Sequence, residues 1–274
     1  MNNNSILIFG EGYIGSRLQE ELGCPISDRK IISFKDAEEE IARFNPQVVI
    51  NCIGFIGNNV DECEQDKDKT LTSNSFAPLI LAEAALRRKI RLVHVSTGCF
   101  YHFDYSKDKP IDEDKIPDYF NLFYSRSKIY SDQALKILSN EFPILIIRPR
   151  IPLDNRPNPK NILSKIIKYK NRIIDIPNSV TYMPDFVKAV RHLVRINAQG
   201  IYHVVNKGGL RYPELLDVYK KYVPDFEYSL IDFKGLKINR TNILLSTQKL
   251  EKTGFKVRDI HEVLKECVQE YLEY

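Results

Sequence analysis

Short, continuous apolar bursts alternate along the chain with stretches of helical period. Residues 6–9, 48–53, 92–95, 144–147 and 202–205 read as strands, each too short for a buried helix. Between them Ile14, Leu18 and Leu22 form one stripe at helical spacing. Leu79, Ala82 and Leu86 form a second, and Tyr130, Ala134, Ile137 and Leu138 a third. Strands without polar alternation, separated by helices, predict an α/β fold whose parallel sheet is covered on both faces. The rhythm breaks at 148–161, a stretch rich in Pro, Asn and Arg where neither helix nor strand can continue, so a second lobe is expected to begin there. The final segment, 259–274, places Ile260, Val263, Leu264, Cys267, Val268 and Leu272 on one broad helical face and is expected to cap that lobe. The predicted division is one domain over 1–147 plus about 180–206, and a smaller C-terminal lobe over about 148–179 plus 207–274.

Composition narrows the function classes. With 274 residues, 43% apolar and 28% charged, the chain can bury a sizeable core. Forty Lys and Arg against 36 Asp and Glu leave a net charge of +4, too small and too dispersed for a nucleic-acid surface, while small anionic ligands remain open. No apolar run approaches the roughly 20 residues of a membrane helix. The start, Met1-Asn2-Asn3-Asn4-Ser5, has no signal-peptide pattern, so a cytoplasmic protein without membrane partners is expected. The five cysteines, Cys24, Cys52, Cys63, Cys99 and Cys267, are scattered and without CxxC pairs, which points to reduced thiols and no metal site.

Directly after the first strand stands Gly10-Glu11-Gly12-Tyr13-Ile14-Gly15, a GxGxxG that opens the Ile14, Leu18, Leu22 helix. In that context glycines allow a tight turn and close backbone approach, so that free N–H groups and the helix dipole can hold a pyrophosphate. The second strand is expected near 25–31. There Asp28 can take a ribose hydroxyl, or Arg29 and Lys30 a 2′-phosphate, and NADP(H) is preferred with NAD(H) possible.

Three further segments fall at the carboxyl ends of strands, where open α/β sheets bind ligands: Asn51-Cys52-Ile53-Gly54, Ser96-Thr97-Gly98-Cys99 and Tyr124-Ser125-Arg126-Ser127-Lys128. Tyr and Lys four apart on a helix share one face, and an ammonium beside a phenol favours the phenolate, which is proton-donor chemistry.

The glycine turn, NxxG, the Ser-Thr pair and YxxxK together resemble the extended short-chain dehydrogenase/reductases, with a Rossmann-type doubly wound sheet and a smaller C-terminal substrate lobe. Within them the chain is similar to the bifunctional nucleotide-rhamnose synthase/epimerase-reductases. The likeness is carried in order by Val60-Asp61-Glu62-Cys63-Glu64, Thr97-Gly98-Cys99-Phe100, Phe123-Tyr124-Ser125-Arg126-Ser127-Lys128, Arg148-Pro149-Arg150-Ile151-Pro152, Asn158-Pro159-Lys160-Asn161, Ser164-Lys165-Ile166 and Asp175-Ile176-Pro177-Asn178-Ser179. The resemblance implies 3,5-epimerisation and 4-keto reduction of UDP- or dTDP-4-keto-6-deoxyglucose. Cys99 and Lys165 then serve the epimerase half, and Thr97, Tyr124 and Lys128 the reductase half. Cofactor contacts are expected from Gly10, Gly12, Tyr13, Ile14, Gly15, Asp28, Arg29, Asn51, Ile53, Gly54, Ser96, Tyr124 and Lys128. The chain departs from the family's usual GxxGxxG by one residue, and Val180-Thr181-Tyr182-Met183-Pro184 replaces a more aliphatic stretch.

For the nucleotide sugar, Thr97, Cys99, Arg150, Asn161, Asn178, Arg240 and Asn242 are the candidate contacts, the arginines suiting the diphosphate. His94, inside an apolar strand, reads as a core histidine, and His102 is given no role. A homodimer through two long helices, one carrying Tyr124 and Lys128, is possible. The competing readings are a reductase without epimerase activity, a nucleotide-sugar 4-epimerase, and a non-catalytic regulatory subunit.

Overall fold

The computed structural model describes residues 5–232 and 240–274. The Met1 to Asn4 start, read above for a leader, lies outside them. The chain divides into two compact units, 1–100 with 119–148 and 190–202, and 101–118 with 149–189 and 203–274. These cuts differ from the division expected from the sequence in placing 101–118, 180–189 and 203–206 in the second unit.

The first unit is built on β1 (Ile6–Phe9), α1 (Tyr13–Leu22), β2 (Ile26–Ser27), α2 (Phe34–Phe44), β3 (Val48–Asn51), α3 (Glu62–Gln65), α4 (Lys67–Leu71), a π-helical turn (Thr72–Phe76), α5 (Ala77–Arg87), β4 (Arg91–Val95), α6 (Phe123–Leu138) and β5 (Ile144–Arg148). Its sheet has the order β2-β1-β3-β4-β5 followed by β8 (Gly200–His203). The pairings of β1 with β2 and β3, of β3 with β4 and of β4 with β5 are parallel. Strand order reverses on either side of β1, and this reversal is where a doubly wound sheet opens a crevice at its carboxyl ends. One face is sealed by Leu7, Phe9, Val49, Leu92, Ile144 and Ile146 against Ala77, Leu81, Ala82 and Ala85 of α5.

Four expectations need correction, the simplest being the last strand of this sheet, which spans Gly200–His203 rather than 202–205. β2 spans two residues rather than 25–31, because Ser27 Oγ accepts the Arg29 N–H and donates to buried Glu40, bending the chain out of the sheet. β3 stops at Asn51 rather than 53, because the Asn51 side chain accepts the Ile53 N–H at 2.9 Å and turns the backbone. In α6 the expected stripe faces the core only in part: Leu138 packs against it, but Tyr130 is 50% and Ile137 70% exposed, while Ser127, Lys128, Ser131 and Asp132 are buried.

The second unit holds the short parallel pair β6 (Pro152–Leu153) and β7 (Thr181–Tyr182), with α7 (Ile162–Lys168), α9 (Tyr212–Lys220), α10 (Gln248–Glu251) and α11 (Ile260–Leu272). Helix α8 (Met183–Arg195) begins in it. Its core joins Leu153, Leu163, Leu210, Leu215, Leu216, Ile260, Val263 and Cys267. No helix among the described residues is long and apolar enough to cross a membrane.

Candidate active site

The glycine turn is held too tightly for any other residue. Gly10 has φ +97°, and a Cβ on it would lie 2.7 Å from Cys52 C and Ile53 N; a Cβ on Gly15 would lie 2.0 Å from Gly10 O. The turn thus packs directly on the end of β3. Gly12, by contrast, has open space where a Cβ would stand, and it is the N-cap of α1 without a capping side chain or an acidic first turn. An open, uncapped helix N-terminus beside a tight turn fits a dinucleotide pyrophosphate, received by the N–H groups of the Gly12 to Gly15 segment. Next to it in the sheet, Phe9 pairs with Ser27, which brings the residues after β2 to the same end. Asp28 and Lys30 are exposed there, and Arg29 Nη2 is bound by Asp36 at 3.0 Å and Glu39 at 2.7 Å.

Asn51 and Ser96 spend their side chains within the protein. Asn51 Nδ2 donates to Nδ1 of His94, a wholly buried histidine whose pKa burial and nearby Lys128 hold well below the usual range. Ser96 Oγ donates to Asp132 Oδ2 at 2.7 Å. Asp132 also receives Arg148 through Nε at 3.0 Å and through Nη2, and both charged side chains are fully buried. Ile53 and Gly54 meet Lys128 instead: its Nζ lies 3.5 Å from Ile53 O, and a Cβ on Gly54 would come within 3.0 Å of it.

Lys128 is 4% exposed, and burial lowers its pKa to about 8, against a smaller raising influence of Cys52, Asp132 and Cys63. The neighbouring Cys52 thiol is pushed up to about 12 by burial, so it stays neutral. Tyr124, one turn before Lys128, is buried. Thr97 is tied to the same helix on both sides, through Ser96 to Asp132 and through Ser125 Oγ, which donates to Cys99 O at 2.7 Å. Thr97 Oγ1 itself accepts the Cys99 N–H at 3.3 Å, and Cys99 is half-buried. The ends of β3 and β4 are thus both bonded to α6, Lys128 at the Ile53–Gly54 turn that also packs on the glycine turn and Ser125 and Asp132 at the Ser96 to Cys99 segment.

The sequence reading missed the groups that hold this corner. Asn74, in the π-helical turn, accepts the Phe55 N–H, donates to Phe55 O and donates to Ser127 Oγ. Ser75 Oγ donates to Ser127 O, and Ser131 Oγ to Asn74 O. The available signal was the polar run Thr72-Ser73-Asn74-Ser75 between helical stretches, since π turns gather at functional sites.

In the second unit, Arg150 Nε donates to Asn178 Oδ1 at 3.3 Å and its Nη2 to Thr241 O, and Asn178 Nδ2 donates to Asn242 Oδ1 at 2.9 Å. Asn161 is the N-cap of α7 and accepts the Leu163 N–H. Arg150 and Asn178 thus form a lattice with Thr241 and Asn242, while Asn161 is bonded separately to Asp154, Arg156 and Leu163. Lys165, on α7, has its pKa lowered by burial and then by the charges of Lys160 and Arg240. His102 is exposed, with its backbone N–H bound by Asp118.

The family model described as the RmlD substrate binding domain matches residues 5–215. The chain belongs to this family. Relatives of this RmlD-family chain include a bifunctional dTDP-4-dehydrorhamnose 3,5-epimerase/dTDP-4-dehydrorhamnose reductase of Arabidopsis thaliana, 29% identical over 97% of the chain and 93% of that protein. The chain spans only 36 to 42% of the length of three trifunctional Arabidopsis relatives it also matches. Among solved structures, the L780 UDP-rhamnose synthase of Acanthamoeba polyphaga mimivirus superposes with a TM-score of 0.90 at 27% identity, covering 97% of this chain and 98% of that one. A Bacillus anthracis dTDP-4-dehydrorhamnose reductase solved with NADP shares the fold, with a TM-score of 0.84 at 21% identity and 97% and 98% coverage. The RmlD-family chain is thus of the extended short-chain dehydrogenase/reductase type, as its motifs imply.

Proposed function

We propose that this chain makes a nucleotide-β-L-rhamnose from UDP- or dTDP-4-keto-6-deoxyglucose, by 3,5-epimerisation followed by NADPH-dependent reduction of the 4-ketone. On this reading the first unit is the cofactor domain and the second the substrate lobe. The observation that carries it is a buried Tyr124 one helical turn before a buried Lys128, on a helix bonded to the residues on both sides of Thr97.

When bound, the reduced dinucleotide supplies a hydride to C4. Tyr124 gives its phenolic proton to the C4 oxygen, the Thr97 hydroxyl hydrogen-bonds that oxygen, and the Lys128 ammonium stabilises the phenolate left behind. The ketone is thereby reduced to an alcohol and the dinucleotide oxidised. Exposed Lys30 suits a 2′-phosphate and so NADP(H), while Arg29 is held by Asp36 and Glu39 and would have to exchange a carboxylate for the phosphate; the B. anthracis fold relative was solved with NADP.

The 4-ketone acidifies the C3 and C5 protons, so a base and an acid can remove and return them through an enolate. Cys99 and Lys165 are the candidates. Burial and then the charges of Lys160 and Arg240 lower the Lys165 pKa and favour its neutral amine, the form that can accept a proton. Epimerisation must come first, since the alcohol product no longer acidifies those protons. The Arabidopsis relative named as bifunctional, which the chain matches almost end to end, supports this half. A reductase acting alone is the second reading, favoured by the end-to-end fold match to a relative named only as a reductase.

Proton NMR of the purified protein with UDP-4-keto-6-deoxyglucose in D2O separates the two. Deuterium entering C3 and C5 without cofactor, lost in Cys99→Ala, and a rhamnose product after NADPH is the expected result. NADPH oxidation only with pre-epimerised substrate would leave the reductase reading, and no oxidation with either would overturn both.

A further inference from the structure

Helix α6 starts without a cap of its own. Leu122 occupies the N-cap with extended backbone and no capping side chain, and the first turn holds no acidic residue. The first helical N–H, that of Phe123, is bound instead from 59 residues upstream, where Glu64 Oε1 accepts it at 2.7 Å. A second contact comes from the same stretch: Lys67 Nζ stands 5.6 Å from the centroid of the Phe123 ring. Phe123, the residue directly before Tyr124, is therefore gripped at both its amide and its ring.

The gripping segment is itself anchored. Thr70 Oγ1 donates to Asp66 O at 2.6 Å, Asp66 caps α4 by accepting the Lys69 N–H, and Lys69 Nζ lies 4.4 Å from the Phe55 ring centroid. Phe55 is in turn fixed through its N–H and C=O by Asn74. A chain of contacts thus runs from the Lys128 neighbourhood around to the start of the helix that carries Tyr124.

We propose that Glu64 is a positioning residue for Tyr124, a carboxylate cap supplied in trans along the chain that fixes the first turn of α6. The inference rests on reading Tyr124 as the proton donor. An anionic acceptor at a helix N-terminus satisfies an orphan donor and meets the positive end of the dipole. Because this cap comes from a separate element, it also sets where the first turn stands. A first turn free to fray lets the phenol drift, and small misplacements of a reacting group are costly in rate. Glu64 is exposed, so its substitution spares the core.

The test compares Glu64→Ala and Glu64→Gln in the full chain. It reads NADPH oxidation with pre-epimerised 4-keto substrate, and, without any nucleotide, amide hydrogen exchange of the peptide containing Phe123 and Tyr124. Glu64→Ala should lower kcat about fivefold with both KM values unchanged, and should speed exchange at Phe123. Glu64→Gln keeps an acceptor oxygen and should restore most of kcat. Wild-type kcat in Glu64→Ala, unchanged exchange, or a loss the glutamine does not rescue would each overturn the proposal. An inactive wild type refutes the reductase reading itself; faster exchange would then leave Glu64 as a helix cap with no catalytic purpose.

Discussion

Tyr124 and Lys128 on one side, and Arg150, Asn161 and Asn178 on the other, are buried to a similar degree, all at 8% exposure or less. They differ in what their polar atoms are doing. Asn161 uses its whole amide: its oxygen accepts the Asp154 and Leu163 N–H groups, and its nitrogen donates to Asp154 O and Arg156 O. Arg150 and Asn178 close a lattice with Thr241 and Asn242. The Lys128 ammonium has three protons, and its hydrogen bonding among the described residues is one long contact to Ile53 O. Buried groups with every bond filled hold a shape, whereas a buried group with bonds to spare is prepared for something that arrives. Similar burial therefore separates into side chains bonded within the second unit and an ammonium in the first with donors to spare, the contrast the proposed chemistry draws on.

The largest expected effect comes from removing one oxygen. Tyr124→Phe deletes the proposed proton donor while keeping the ring, so kcat for 4-keto reduction should fall by about 10²–10⁴. NADPH affinity, read by fluorescence titration, and the thermal midpoint should change little. A mutant with near-normal kcat would mean that the proton comes from elsewhere, and the contrast between the two regions would lose its chemical side.

Asn161→Ala probes the other side. It removes an N-cap and leaves buried partners at Asp154 and Arg156 unpaired, so urea unfolding should show a loss of about 2–4 kcal/mol. Reduction of pre-epimerised substrate, assayed well below the unfolding midpoint, should keep its KM. A raised KM at unchanged stability would make Asn161 a substrate contact and break the comparison.

Local signals carried the readable part of this molecule. The glycine turn, the starts of β1, β3 and the Tyr124 and Lys128 spacing depend on neighbours within a few residues, and all lie where turn chemistry and periodicity put them. What escaped depends on side chains meeting across long separations. Strand ends were misjudged because Ser27 and Asn51 turn the backbone with their own side chains, which apolar periodicity does not register. Helix α6 was turned partly the wrong way because periodicity assumes an apolar inner face. Here the inner face is mixed: Ile129 and Leu135 share it with Ser127, Ser131 and Asp132, which find partners on Asn74, Ser96 and Arg148. Arg150 was read as a substrate contact from its place after the fifth strand, and Asn161 and Asn178 from the family resemblance; their internal partners, which depend on the fold, were not legible in the sequence.

The titration of Lys128 sharpens the comparison most finely, because it moves activity and stability in opposite directions. Its folded-state pKa of about 8 lies below the ordinary lysine value of 10.5, burial being the chief cause. The ammonium that the proposed reduction needs is present below pH 8, so kcat should fall about tenfold per pH unit above it. Stability has the reverse sign. Between the folded value and 10.5 the unfolded chain binds the extra proton, so the Lys128 contribution to unfolding free energy rises with pH through that window. Below pH 8 both states hold the proton, and the full cost of burying the charge is present. Lys128→Met should abolish both slopes while slowing reduction at every pH. Parallel kcat and urea-midpoint profiles of the wild type and Lys128→Met check this. Slopes that persist in the methionine variant would assign the titration to another group and remove Lys128 as the poised cation of the first unit.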